Sequence, residues 1–125
     1  MKNRTASQNQ VDLYETTNPL LEAMYREMQE LSKKKPEATL SSAKVKLLNR
    51  LLEDLRLVLA NESGLKYLDL IDDEALPQYS DVVLMLSQYD AAMKSFFQLY
   101  YGYDSLKQTH GWAIEKPLPK KTLKR

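Results

Sequence analysis

The sequence predicts an all-α protein: three principal helices in an antiparallel bundle built on a long helical hairpin, with an extended polar N-terminal arm and a basic C-terminal tail. Three observations carry this prediction. Apolar residues recur at spacings of three and four along three long stretches. Only three glycines interrupt the chain, which favours long regular elements over a loop-rich scaffold. The connections between the stretches are short, which favours antiparallel neighbours.

Residues 1–17 are polar and lack a sustained apolar period, with Val11, Leu13 and Tyr14 as the only anchors, so they read as a flexible arm. A first helix over 18–35 is announced at Asn18-Pro19. Asparagine is a preferred cap, and proline loses nothing at the first helical position, where its missing N–H has no partner to bond. Leu20, Leu21, Met24, Met28 and Leu31 then form one stripe, Lys33–Lys35 suit the negative end of the helix dipole, and Pro36 stops the helix.

A second helix over 40–62 starts at a cap within Thr39–Ser42. It presents Leu47, Leu48, Leu51, Leu52, Leu55, Val58 and Leu59 on one wide apolar face and ends by Gly64. Leu65–Tyr79 reads as one or two short helical turns followed by an acidic connection. A third helix over 80–102 is capped by Ser80, has Asp81 in its first turn and ends at Gly102. The domain boundaries expected from this are an arm over 1–17, a helical bundle over 18–104 and a basic extended tail over 105–125.

The composition narrows the chemistry. The chain has 125 residues, enough for one domain with a real core. It has no cysteine, which excludes disulfides, thiolate zinc sites and thiol nucleophiles. The first ten residues lack the apolar stretch of a secretory signal. The most hydrophobic stretch, Val82–Tyr101, carries Asp90 and Lys94 near its middle, which a lipid-spanning helix would not readily accommodate. The expectation is a cytoplasmic protein with no membrane contact. Charge is uneven: +1 over residues 1–62, −5 over 63–104 and +5 over 105–125, an asymmetry suited to partner binding or self-docking.

Catalytic equipment is sparse. His110 is the only histidine, it falls in the expected tail, and no phosphate-cradling glycine loop, HExxH or GxSxG is present. Asp69, Asp72, Asp73, Glu74 and Asp81 offer oxygen ligands but lack the alternating spacing and central glycine of an EF-hand loop, so they read as caps and solvated loop. No catalytic residue, cofactor, metal site or small-molecule substrate is inferred.

The third helix holds the notable surplus. Phe96, Phe97, Tyr100 and Tyr101 crowd its end, and neighbours about 100° apart cannot all face one seam. With Leu84, Met85, Leu99 and Trp112 they form the expected partner interface, through which a protein partner, including a second copy of the chain, is expected to bind. The basic residues Lys116, Lys120, Lys121, Lys124 and Arg125 leave three readings open: contact with nucleic-acid phosphates, docking on the acidic middle, or a solubilising end. Trp112, an indole in a polar setting, is expected to anchor part of the tail. The sequence therefore points to a non-enzymatic helical interaction protein (an adaptor, regulator or assembly subunit), with nucleic-acid association through the tail as the alternative.

Overall fold

The computed structural model of the chain describes residues 4–115. Three helices, α1 (Gln8–Lys34), α2 (Ser42–Val58) and α3 (Tyr79–Tyr100), supply most of the fold. A 3-10 turn at Ser63–Tyr67 lies between α2 and α3. A two-stranded antiparallel hairpin, β1 (Tyr101–Asp104) and β2 (Thr109–Trp112), follows α3 without a break, in a register that sets Tyr101 opposite Trp112.

The first helix starts at Gln8, not at Asn18-Pro19. The local reason is a reciprocal cap: the Gln10 N–H donates to Ser7 Oγ (3.0 Å), and the Ser7 N–H donates to Gln10 Oε1 (2.9 Å). Val11, Thr17, Leu21 and Met28 then bury one face of a 27-residue helix. Pro19 lies inside it, on the exposed side. There its missing N–H deprives only the Glu15 carbonyl of a donor, and the ring meets solvent instead of a neighbouring helix. One turn earlier the Thr16 and Thr17 hydroxyls donate to the Asp12 and Leu13 carbonyls (3.0 and 2.7 Å).

The expected arm and tail are corrected together. Ala6 is buried and pairs with Ile114 in a parallel bridge. Its N–H donates to the Ala113 carbonyl (2.9 Å) and its carbonyl accepts from the Glu115 N–H (2.8 Å). Residues 105–115, expected as extended tail, instead form the hairpin turn, β2 and this bridge. Asp104 shapes the turn by accepting from the Leu106 N–H (2.9 Å), and Gln108 takes the left-handed conformation at φ 54°.

The expected hairpin of the second and third helices is also corrected: α1 is the helix that packs against both others. Its start meets the end of α2, where Gln10 Nε2 donates to the Val58 carbonyl (2.9 Å), and the end of α3, where Tyr14 stacks on Phe96. Between α2 and α3 runs the extended segment 68–71. Asn49 of α2 grips Ile71 by both backbone groups (2.8 Å each), Arg56 donates to the Leu68 carbonyl, and the Tyr89 hydroxyl of α3 donates to the Asp69 carbonyl (2.8 Å). With Leu68 and Ile71 buried, this segment takes the space where direct contact between the two helices was expected.

Several predicted ends shift. α2 stops at Val58 because the buried Leu59 turns the chain inward, and Gly64 falls in the 3-10 turn, where no glycine needs a positive φ. α3 stops at Tyr100, since Tyr101 is already extended and paired with Trp112, which leaves Gly102 inside β1. Ser80 lies within α3 and is not its cap. Asp81 accepts from the Gln78 N–H (3.1 Å), and the carbonyls of Ala38 and Pro36 accept from the Tyr79 and Ser80 N–H groups (2.8 and 3.1 Å).

One core joins all these parts. Leu21, Leu40, Leu52, Leu55, Leu59, Leu86, Tyr89, Met93 and Phe96 are its largest fully enclosed side chains. No helix among the described residues is long and apolar enough to cross a membrane.

Candidate functional site

Two surfaces concentrate the unusual side chains. The first is the aromatic end, where α1 starts, α3 finishes and the hairpin folds back. Tyr14 stacks on Phe96 and Phe97, with ring centres 5.6 and 6.1 Å apart, and meets Trp112 edge-on at 5.1 Å. Trp112 also stands edge-on to Phe97 and Tyr101 (5.5 and 5.4 Å), and its indole N–H donates to the Glu15 carboxylate (3.0 Å). Edge-to-face and offset contacts at these spacings are the arrangements that ring quadrupoles favour.

The consequence for the predicted interface is specific. Phe96 and Tyr100 are buried inside the chain, and Phe97, Tyr101 and Trp112 are packed on one another. The surplus of rings on α3 is served by Tyr14, from the expected arm, and by Trp112, from the expected tail. Leu84, Leu99 and part of Phe97 remain exposed, and Met85 is half-buried. Lys116, Lys120, Lys121, Lys124 and Arg125 lie outside the described residues.

A polar knot closes the same end. The Tyr100 hydroxyl donates to Glu62 (2.7 Å), Arg4 pairs with the other oxygen of that carboxylate (3.4 Å), and the Arg4 guanidinium lies over the Tyr100 ring at 5.4 Å. Burial, followed by the hydrogen bond to Glu62 and then by that carboxylate's charge, pushes the Tyr100 phenol above its ordinary value. Burial does the same for Tyr14 and Tyr89. Beside the knot, the hairpin and Arg4 enclose an open depression of about 750 Å³ whose lining includes Tyr101, Tyr103, Lys107 and His110. His110 stands on β2, edge-on to Tyr103 at 5.2 Å.

The acidic residues act locally. Asp72 accepts from the Glu74 N–H (2.9 Å), Asp81 caps α3, and Asp69 is engaged through its carbonyl. Among the described residues no three histidine or carboxylate side chains are grouped to hold a metal ion.

The second surface was not singled out from the sequence. Along the seam of α1 and α2 lie two adjoining depressions of about 220 and 230 Å³ that share Met24 and Leu47. Leu20 and Leu51 line the one nearer the start of α1, and Met28, Leu31, Leu40 and Leu48 line the other. Leu20 and Leu47 are each 51% exposed although both stand on the edge of the core. Glu27 and Lys44 stand towards one end and Asp54 towards the other, and Arg50 stands between Leu47 and Leu51 nearer the middle. The signal was present in the sequence as an apolar stripe on each helix. Periodicity alone does not say how much of a stripe the neighbouring helix covers.

No protein-family model, no curated protein and no solved structure matches the chain.

Proposed function

We propose that this protein is a non-enzymatic helical interaction module, its helices arranged as an antiparallel bundle, that binds an apolar helical surface in the groove between α1 and α2. The observation that carries this reading is the pair of half-exposed leucines, Leu20 and Leu47, flanking a largely apolar seam whose charges are Glu27 and Lys44 towards one end, Asp54 towards the other and Arg50 between Leu47 and Leu51. A groove between two helices, apolar along its floor and charged at its rim, is the form in which amphipathic helices are received, with side chains one turn apart as anchors. From Thr16 to Leu31 the seam is roughly 22 Å long, room for about four turns of a bound helix.

The test is a pair of substitutions on each surface, Leu20→Lys with Leu47→Lys, and Leu84→Lys with Leu99→Lys. All four side chains are exposed enough that folding stability should change by no more than about 0.5 kcal/mol each. The expected result is that proteins captured by the wild type are lost with the first pair and kept with the second. Capture that survives the first pair unchanged, or is lost only with the second, would overturn the assignment to this groove.

A second reading has its own observation. Tyr103, 59% exposed, stands with Arg4, Lys107 and His110 around the hairpin depression, and the chain leaves β2 towards the basic residues 116–125. Exposed rings beside cations suit stacking with single-stranded nucleic acid. Binding of a mixed-sequence single-stranded oligonucleotide in a salt series, with and without residues 116–125, tests it. Steep salt dependence that weakens on truncation favours the reading, and no binding at low salt removes it.

A further inference from the structure

We propose that the basic segment 116–125 folds back on its own chain and lies along the outer face of α1, over the carboxylates of Asp12, Glu15 and Glu22. The proposal goes beyond the groove reading: it concerns another face of α1 and stands or falls without it.

Helical spacing sets the face. Gln8, Asp12, Glu15, Pro19 and Glu22 follow one another at intervals of four and three, so they form one stripe, and all five are exposed. No lysine or arginine occurs between Gln8 and Tyr25. Among the described residues none of the three carboxylates takes part in an ion pair. Across the seam, Asp90 and Lys94 of α3 pair with each other (2.8 Å). Pro19 adds a backbone acceptor, because without its N–H the Glu15 carbonyl stands in the middle of the stripe with no helical donor. The carboxylates also act on one place: after burial, the charges of Glu22, Asp90 and Glu15 hold the Tyr14 phenol above its ordinary value.

Charge and the path of the chain name the occupant. Residues 4–115 hold twelve lysines and arginines against seventeen aspartates and glutamates, a net −5, whereas 116–125 hold five cations and no anion. The Glu115 N–H donates to the Ala6 carbonyl (2.8 Å), so Lys116 follows on beside the start of α1. Asp12 lies about 9 Å along the helix from there, and the five residues from Glu115 to Lys120 reach up to about 17 Å, which leaves room for the chain to turn back. Lys120 and Lys121 then come level with Asp12 and Glu15, and Lys124 and Arg125 with Glu22. The spans agree: Asp12 to Glu22 is about 15 Å of helix, and Lys120 to Arg125 is about 17 Å of extended chain. Each pair is weak at a surface, but so short a tether keeps the cations at a local concentration on the order of millimolar.

The chain has no cysteine, so Thr122→Cys in the full chain gives a single attachment point for a spin label. Paramagnetic broadening of the backbone amides, read at low salt from low to several hundred micromolar, tests the contact. The expected result is broadening strongest over residues 12–22 and unchanged by dilution. It should weaken at about 1 M salt, where the screening length falls to about 3 Å. It should also be lost in Asp12→Lys/Glu22→Lys, with circular dichroism and the single indole N–H resonance of Trp112 showing the fold intact. The salt series on the unsubstituted stripe keeps the test decisive if that variant does not fold.

Broadening centred on the acidic connection 69–81, or on Leu20 and Leu47 of the groove, would overturn the proposal, as would broadening spread evenly over the chain. Broadening that disappears on dilution would overturn it too, by making the contact one between two molecules.

Discussion

Trp112 holds the C-terminal part of the fold through two kinds of contact: its ring closes on Tyr14, Phe97 and Tyr101, and its indole N–H reaches Glu15 of α1. Replacing it with alanine should lower stability by about 2–4 kcal/mol, the range for removing a large aromatic from a partly enclosed site. A denaturant titration measures this directly, and a tryptophan in a free tail would give no change. Three packed phenols make a second prediction at this scale. Tyr14, Tyr89 and Tyr100 all hold their protons more tightly in the folded chain than in the unfolded one. The stability this contributes is complete below about pH 10 and is lost as pH rises through the raised folded values. Unfolding is therefore expected on the alkaline side. The loss of helical dichroism at alkaline pH should coincide with ionisation of Tyr14, Tyr89 and Tyr100, read residue by residue from their ring resonances. Ionisation of these three in a chain that keeps its full helical dichroism would contradict the packing described.

At the scale of elements, α1 is where sequence and structure differ most instructively. Asn18-Pro19 is a good local start signal, and its competitor, Ser7 with Gln10, is equally local and equally legible as a capping box. The contest is decided by burial that no short window contains. Ala6 and Val11 are buried at the aromatic end, against parts of the chain about a hundred residues away in the case of Ile114. The two assignments predict opposite responses to Pro19→Ala. At a helix start, proline is favourable and alanine gains nothing. Inside a helix, alanine restores the donor to the Glu15 carbonyl and should stabilise by about 1–2 kcal/mol, readable as a rise of several degrees in Tm. The structure requires the rise. The middles of the second and third helices were legible because their stripes are long, whereas their ends were not. Leu59 and Tyr101 leave helical geometry for tertiary reasons, an inward turn and a strand pairing, and neither residue type announces such a change. The β-hairpin was hidden by its turn, which uses Asp104 and a left-handed Gln108 in place of an Asn-Gly signal.

For the whole molecule, the two ends of the described chain are what reassign the surface. The reading of a surplus on α3 was correct as an observation about sequence, since four bulky rings in six residues cannot share one seam. Its consequence changed once Tyr14 and Trp112 were brought to that seam from opposite ends of the chain, a long-range contact invisible to periodicity. The α1–α2 groove also stays open, lined by residues that looked like ordinary core stripe. Leu84, Leu99 and part of Phe97 keep their exposure, so they are the alternative to the proposed groove. Hydroxyl-radical footprinting of the protein, dilute and then fully associated with its partner or with itself, decides between them. The account predicts protection of Leu20, Met24 and Leu47 on association, with Leu84 and Leu99 labelled as before. Protection of Leu84 and Leu99 with the groove still fully labelled would contradict it.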